Sequence, residues 1–297
     1  MKVNVSIIIV NWNTKDLLIQ CLDSIYKTCG SVDFDVHVVD NNSEDGSVGA
    51  VLEQYPDVIL YNPKKNLGFA KANNHAIRNS DSNFVFLLNP DTILFEQTLY
   101  KMVEYINDSK NKNVAAIGCK LLNTDYSTQA SCRKFPTVLS YSFITLKLHH
   151  VFPNFKHYKE YLMDDFDYKQ VKNVDQIMGA CMLIRREVIS ELNGFDENFW
   201  IWFEEVDLCK RIKEKGWDIH FYPFSEMIHY QGQSFNKLLT LNRQKIFNKS
   251  MIQYFSKHHS KIAVKLLKAI SGLGILLSFC INQYRYIFKR DHNIKKV

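Results

Sequence analysis

No CxxC pair occurs in the 297 residues, and the seven cysteines (Cys21, Cys29, Cys119, Cys132, Cys181, Cys209 and Cys280) are scattered and odd in number. Neither a disulfide framework nor a zinc cluster follows from such spacing, so buried, reduced thiols are expected. The first apolar run is not followed by GxGxxG, and Asn11–Asp16 has no glycine at all, which speaks against a nucleotide-dependent oxidoreductase. Long apolar runs are missing too. Ile7–Val10 stops at Asn11, short of the roughly 7–15 residues of a signal-peptide core. The uncharged stretch Ala269–Tyr284 falls short of the roughly 20 residues a spanning helix needs. Acidic residues are nearly absent from one end: Asn236–Val297 holds 13 Lys or Arg and a single acid, Asp291. Internal repeats and low-complexity linkers are also lacking.

With 46% hydrophobic and 13% aromatic residues, the chain can bury a substantial core. Its net charge of +6 divides unevenly, since residues 1–235 carry 24 basic and 30 acidic groups. The body is mildly acidic and has no recognisable nucleic-acid motif, so a nucleic-acid partner is not expected. The basic end, with Lys265, Lys268, Arg285, Lys289 and Arg290 around apolar Ala269–Tyr284, suits an anionic membrane surface and an interfacial helix.

Apolar runs alternate with amphipathic segments along the first half. Strands are expected at Val3–Val10, Asp35–Val39, Val58–Tyr61 and Phe84–Leu88, and helices at Lys15–Lys27, Val48–Tyr55, Phe69–Arg78 and Leu94–Ile106. This pattern indicates an α/β fold with a mostly parallel sheet flanked by helices. Further on, strands are expected at Gln176–Ile184, Trp217–Tyr222 and Met227–Tyr230, and a helix at Glu204–Glu214; Thr137–Lys172 is aromatic-rich without a clear period.

In open sheets of this kind ligands bind beyond the carboxyl ends of the strands. The residues there are Asn11-Trp12-Asn13, Asp40-Asn41-Asn42-Ser43, Asn66-Leu67-Gly68-Phe69 and Asn89-Pro90-Asp91. Each alone is ordinary turn chemistry. Together they offer partners for a base and ribose and a carboxylate for a hard cation. Glu204, Glu205 and Asp207 follow an aromatic run, Glu204 and Asp207 sharing one helix face and Glu205 pointing elsewhere. His229 is a competent ligand when neutral.

These segments, with Gly179–Arg186, Gly194-Phe195-Asp196-Glu197 and His229–Ser234, occur in family order over residues 3–235. The chain resembles a family 2 glycosyltransferase of the GT-A fold, in its rhamnosyltransferase-like branch. The resemblance implies a GT-A domain over 1–235, with a nucleotide-sugar half at 1–122 and an acceptor and catalytic half at 123–235. The membrane-associating tail at 236–297 lies outside it. The resemblance also implies an inverting transfer from a nucleoside-diphosphate sugar to a lipid-linked saccharide in polysaccharide synthesis, and the basic tail points to a peripheral protein at the cytoplasmic face of the membrane. Asp40, Asn11, Asn66, Gly68, Asn73 and Asn89 would line the nucleotide site. Asp91 and His229 would hold a divalent cation, Mn2+ or Mg2+, and Glu205 would be the general base. Asn89 replaces the first Asp of the family's DxD motif, and Glu205 stands where Asp is usual. The alternatives are a non-catalytic sugar- or lipid-binding protein that keeps the fold, or transfer of another hexose or of galactofuranose.

Overall fold

Ile7, Ile8 and Ile9 are fully buried in β1 (Asn4–Asn11), as a continuous apolar run on a central parallel strand requires. Burial of each such side chain contributes about 1.5–3 kcal/mol. The computed structural model describes residues 4–230 and 240–294, with side chains at 4–230 and 242–277. The expected boundary at 235, the segment Gln231–Ser234 and the side chains of Arg285, Lys289 and Arg290 lie outside the described residues.

The described chain divides into two compact units, Met1–Phe135 with Asp165–Lys237, and Pro136–Asp164 with Leu238–Val297. In the first unit the strands after β1 are β2 (Asp33–Asp40), β3 (Ile59–Tyr61), β4 (Phe84–Leu88), β5 (Thr92–Leu94), β6 (Val114–Leu122), β7 (Thr128–Gln129), β8 (Cys132–Arg133), β9 (Lys172–Asn173), β10 (Gln176–Ile177), β11 (Cys181–Arg185) and β12 (Asp218–His229). Its helices are α1 (Lys15–Thr28), α2 (Ser47–Gln54), α3 (Phe69–Arg78) and α4 (Thr98–Asn107). Two more follow the second-unit segment and are numbered in chain order, α7 (Arg186–Glu191) and α8 (Glu204–Glu214). The main sheet runs β3-β2-β1-β4-β11-β6-β12-β5, with β7 on β6 and β9 on β12. β3, β2, β1 and β4 are mutually parallel, β11 is antiparallel to both its neighbours, and β6 and β12 are parallel. In α1 the residues Leu18, Cys21, Leu22 and Ile25 recur at helical spacing and are buried.

Three expected elements differ. The helix expected from Leu94 begins at Thr98, because Thr92–Leu94 pairs with Met227–His229. The strand expected over Gln176–Ile184 is broken, Gln176-Ile177 pairing with β8 and Cys181–Arg185 with β4. The two short strands expected after Trp217 are one strand, β12, whose register shifts between Tyr222 and Glu226. Pro223 lies in that interval, where a missing N–H is tolerated. β6 was not expected at all, and it is buried along almost its whole length.

The second unit holds α5 (Val138–Thr145), α6 (Lys156–Leu162), α9 (Thr240–His258) and α10 (Lys261–Ile294). Residues 136–164, aperiodic in sequence, therefore group with the C-terminal helices. Tyr141, Phe143, Met251, Tyr254, Phe255 and Leu267 are buried there. A Cβ on Gly274 would come within 2.7 Å of the Thr145 carbonyl oxygen, so glycine permits the close approach of α10 to α5. No helix among the described residues is long and apolar enough to cross a membrane.

Candidate functional site

Strands β1 and β2 end side by side, Asn11 opposite Asp40. The two residues are almost fully buried, and Asn11 Nδ2 donates to Asp40 Oδ2 at 2.8 Å and to Ser43 Oγ at 3.1 Å. Asp40 Oδ1 accepts the Ser43 N–H at 2.8 Å, and Asn11 Oδ1 accepts from Thr14 Oγ1 at 2.7 Å. Asn13 and Asn42 adopt left-handed backbone, which asparagine tolerates. A buried carboxylate needs such donors, and this knot holds Asp40 rigidly at the sheet edge.

Asn41 ties the knot to the next turn, donating to the Gly68 carbonyl at 3.2 Å and accepting the Leu67 N–H at 3.1 Å. Asn66 Oδ1 accepts the Gly68 N–H at 2.8 Å. Gly68 has φ +78°, and a Cβ there would lie 2.4 Å from the Trp200 carbonyl oxygen. That oxygen accepts the Phe69 N–H at 2.7 Å. Asn73 is buried in α3 and its Nδ2 donates to the Phe69 carbonyl at 2.9 Å. Its neighbour Asn74 clamps Phe195, donating to its carbonyl and accepting its N–H, each at 2.9 Å. Loop 194–203 is thus fastened to α3 at both ends.

Asn89 closes β4, its N–H donating to the Ala180 carbonyl at 3.1 Å. Because β5 pairs with β12, His229 lies opposite Thr92, and its Nε2 comes 3.4 Å from Asp91 Oδ1 and 3.5 Å from Asn89 Nδ2. Gln129 Nε2 donates to the His229 carbonyl at 3.1 Å and to Asn123 Oδ1 at 2.9 Å. Its Oε1 is therefore the acceptor 2.7 Å from His229 Nδ1. Nδ1 is thus the donor in that bond, and Nε2 is the ring nitrogen turned toward the Asp91 carboxylate.

Trp202 and Phe203, just before α8, both have left-handed backbone, φ +64° and +71°. For large residues this costs on the order of 1–3 kcal/mol each. The turn brings Glu205 to the start of α8, partly exposed, against Gly179, where a Cβ would stand 3.4 Å from the Glu205 Cβ. Burial raises the Glu205 carboxyl above its ordinary range, against backbone hydrogen bonds at Glu205 and Val206 that lower it. Glu204 is raised further, by burial and then by the charge of Glu205, and its Oε2 has no hydrogen-bond partner among the described residues. Asp207 is fully buried and bonded to Arg211 Nε at 2.7 Å. Arg211 also binds the carbonyls of Leu192 and Gly194 at 3.0 and 2.8 Å. Glu204 and Asp207 face inward and Glu205 outward, as the helical spacing implies.

Hydrogen bonds and short stretches of chain together link the carboxyl end of the sheet, from Asp40 through Asn41, Gly68 and Trp200 to the Glu205 turn. From there they run through Gly179 and Ala180 to Asn89, Asp91 and His229. A partly exposed acid with a raised pKa can take a proton from a hydroxyl. Asp91 and His229 Nε2 can supply two ligands to a cation; no group of three or more ionisable ligands occurs among the described residues. Asn41, Asn74, Trp200 and Gln129 hold these groups; the sequence pointed to Asn41 and the aromatic run of Trp200 without giving them this role, and did not single out Asn74 or Gln129. Asn41 had a signal in its Asp-Asn-Asn-Ser turn, and Gln129 had none.

N-acetylglucosaminyl-diphospho-decaprenol L-rhamnosyltransferase of Mycobacterium tuberculosis is 25% identical over 210 residues, 67% of each chain. Rhamnosyltransferase WbbL of Escherichia coli is 30% identical over 171 residues, 55% of this chain and 61% of WbbL. Among solved structures, the mannosyltransferase PcManGT of Pyrobaculum calidifontis, in complex with GDP-Man and Mn2+, superposes with a TM-score of 0.58 at 18% identity, over 97% of this chain and 76% of that one. GalNAc-T7 with UDP, GalNAc and Mn2+ gives 0.59 at 15%, over 84% of this chain and 48% of that one. The fold is therefore the expected mixed α/β GT-A type. The model of glycosyltransferase-like family 2 matches residues 3–248, well over half of the sequence, and the chain belongs to that family.

Proposed function

We propose that this glycosyltransferase moves a sugar, rhamnose-like by preference, from a nucleoside-diphosphate donor to a lipid-linked saccharide in cell-surface polysaccharide synthesis. The observation that carries the reading is the gathering of Asp40, Glu205, Asp91 and His229, linked by hydrogen bonds and short stretches of chain. It comprises a buried nucleotide-type edge, a base with a raised pKa and a carboxylate–imidazole pair. Asp40 and Asn11 hold the base of the nucleotide, with Asn66, Gly68, Asn73 and Asn89 around the rest of the donor. Glu205 takes the proton of the acceptor hydroxyl as that oxygen attacks the anomeric carbon. With one carboxylate, Glu205, assigned to the reacting hydroxyl, the transfer is a single displacement with inversion.

Asp91 and His229 fit a divalent cation, Mn2+ or Mg2+. The Asp91 carboxylate and His229 Nε2 lie 3.4 Å apart, and Gln129 holds the other ring nitrogen. A cation on a diphosphate takes one or two protein ligands and fills the rest from phosphate and water. When bound, it supplies charge neutralisation of the leaving diphosphate. Both named relatives are rhamnosyltransferases, one with a diphospho-decaprenol substrate in its name, and both superposed structures hold Mn2+. They support the donor, acceptor and cation. An acceptor held in lipid brings the enzyme to a membrane, and we assign it to the cytoplasmic face as a peripheral protein.

The test is transfer with a panel of nucleoside-diphosphate sugars and a lipid-linked saccharide, with and without Mn2+. Turnover of a deoxyhexose donor with inverted product supports the reading. Binding of donors with no turnover would leave a sugar-binding protein that keeps the fold.

A further inference from the structure

Helix α10 presents a row of side chains that its own unit does not cover. Leu267, Ser271 and Gly274 face inward and are buried. On the other side Ile262, Leu266, Leu273, Leu276 and Leu277 form one stripe at helical spacing. Ile262 is 80% exposed, and the other four are 42–59% exposed. Val151 and Phe152 of the same unit are also exposed. Isolated exposed apolar residues need no explanation, whereas a continuous stripe marks an interaction surface. Lys261, Lys265 and Lys268 run along one flank at the same i, i+4, i+7 spacing, all exposed. Between residues 261 and 277 there is no Asp or Glu.

That composition selects the occupant. Two copies packed stripe to stripe would gather lysines with no acid in the segment to answer them. An anionic bilayer answers both rows at once, with acyl chains against the leucines and headgroup phosphates against the ammonium groups, reached along flexible lysine stems. We propose that the 262–277 face of α10 docks the protein on an anionic membrane, with the helix axis parallel to the surface. The proposal rests on the reading of a lipid-linked acceptor for its purpose. Its evidence, the stripe and the lysine row, is independent of the catalytic edge.

The experiment is co-sedimentation of the full chain with vesicles of phosphatidylcholine alone or mixed with phosphatidylglycerol, at low and high salt. Wild type should bind the mixed vesicles at low salt and release at high salt. Leu266→Glu with Leu273→Glu should weaken binding by about tenfold or more. Lys261→Glu, Lys265→Glu and Lys268→Glu together should weaken it about a hundredfold, each lysine near an anionic surface being worth about fivefold. Circular dichroism and thermal unfolding check that the variants fold. Wild type left in the supernatant at low salt overturns the proposal, as do variants that bind like wild type. So does a dimer in sedimentation velocity that Leu266→Glu with Leu273→Glu dissolves, which would make the occupant a second copy. Transfer to a short-chain, water-soluble acceptor separates the two readings. The stripe variants should match wild type in that assay. Vesicle binding by a chain that never transfers keeps the docking face and rejects the catalytic reading.

Discussion

His229 turns its Nε2 toward Asp91 at 3.4 Å because Gln129 holds its Nδ1 at 2.7 Å. The Gln129 amide cannot exchange roles without losing its bonds to the His229 carbonyl and Asn123. Gln129→Leu should therefore free the ring and weaken Mn2+ binding in the presence of a nucleoside diphosphate by about 10–100-fold. Calorimetry or Mn2+ electron paramagnetic resonance measures it, and an unchanged affinity in a folded variant would remove Gln129 from the site.

Asp91 and His229 lie 138 positions apart in sequence and meet through the β5–β12 pairing. EDTA should abolish transfer and Mn2+ restore it. Asp91→Ala and His229→Ala should each weaken nucleoside-diphosphate binding mainly when metal is present. Full turnover in excess chelator would refute the cation.

Glu205 works as a base only when ionised. Burial has moved its pKa upward, so transfer should fall with decreasing pH earlier than for an exposed carboxylate. Glu205→Gln should lose that limb of the profile and about 10²-fold or more in kcat, with donor binding nearly intact. Transfer at a normal rate by this variant would shift attention to Glu204.

Asp207 has a different task. It is fully buried and paired with Arg211, which binds the carbonyls of Leu192 and Gly194. Asp207→Ala should leave the guanidinium without its carboxylate and lower stability by about 3–5 kcal/mol, measured by urea unfolding. A variant as stable as wild type but inactive would make Asp207 a catalytic acid instead.

Elements bounded by strong local signals were legible in the sequence. Phe69–Arg78, Phe84–Leu88 and Glu204–Glu214 match residue for residue, because glycine, asparagine or an aromatic-to-acid change marks their ends. β6 was not legible, since Val114-Ala115-Ala116-Ile117-Gly118 mixes small apolar residues that suit helix and strand alike. β12 was read as two strands because Pro223 interrupts the pattern while pairing resumes at Glu226. At the site, Asp40, Asp91, Glu205 and His229 lay in turns or clusters that drew notice, and their roles came from the resemblance. Asn73 came only from the resemblance, and its amide is occupied by the Phe69 carbonyl. Gln129 and Asn74 act through hydrogen bonds to residues 100 and 121 positions away, and local sequence holds no trace of such partnerships.

The fastening of loop 194–203 to α3 also constrains inheritance. Gly68 lacks room for a Cβ because of the Trp200 backbone, and Gly194 because of Asn74 Oδ1, 2.3 Å from where that Cβ would stand. A side chain at either glycine would require the opposite partner to move or change. Across relatives, position 68 should therefore stay glycine whatever residue stands at 200, since every residue carries that carbonyl, while positions 74 and 194 should covary rather than drift singly. Swapping the 194–203 loop alone from a distant relative should fail where a swap including α3 succeeds.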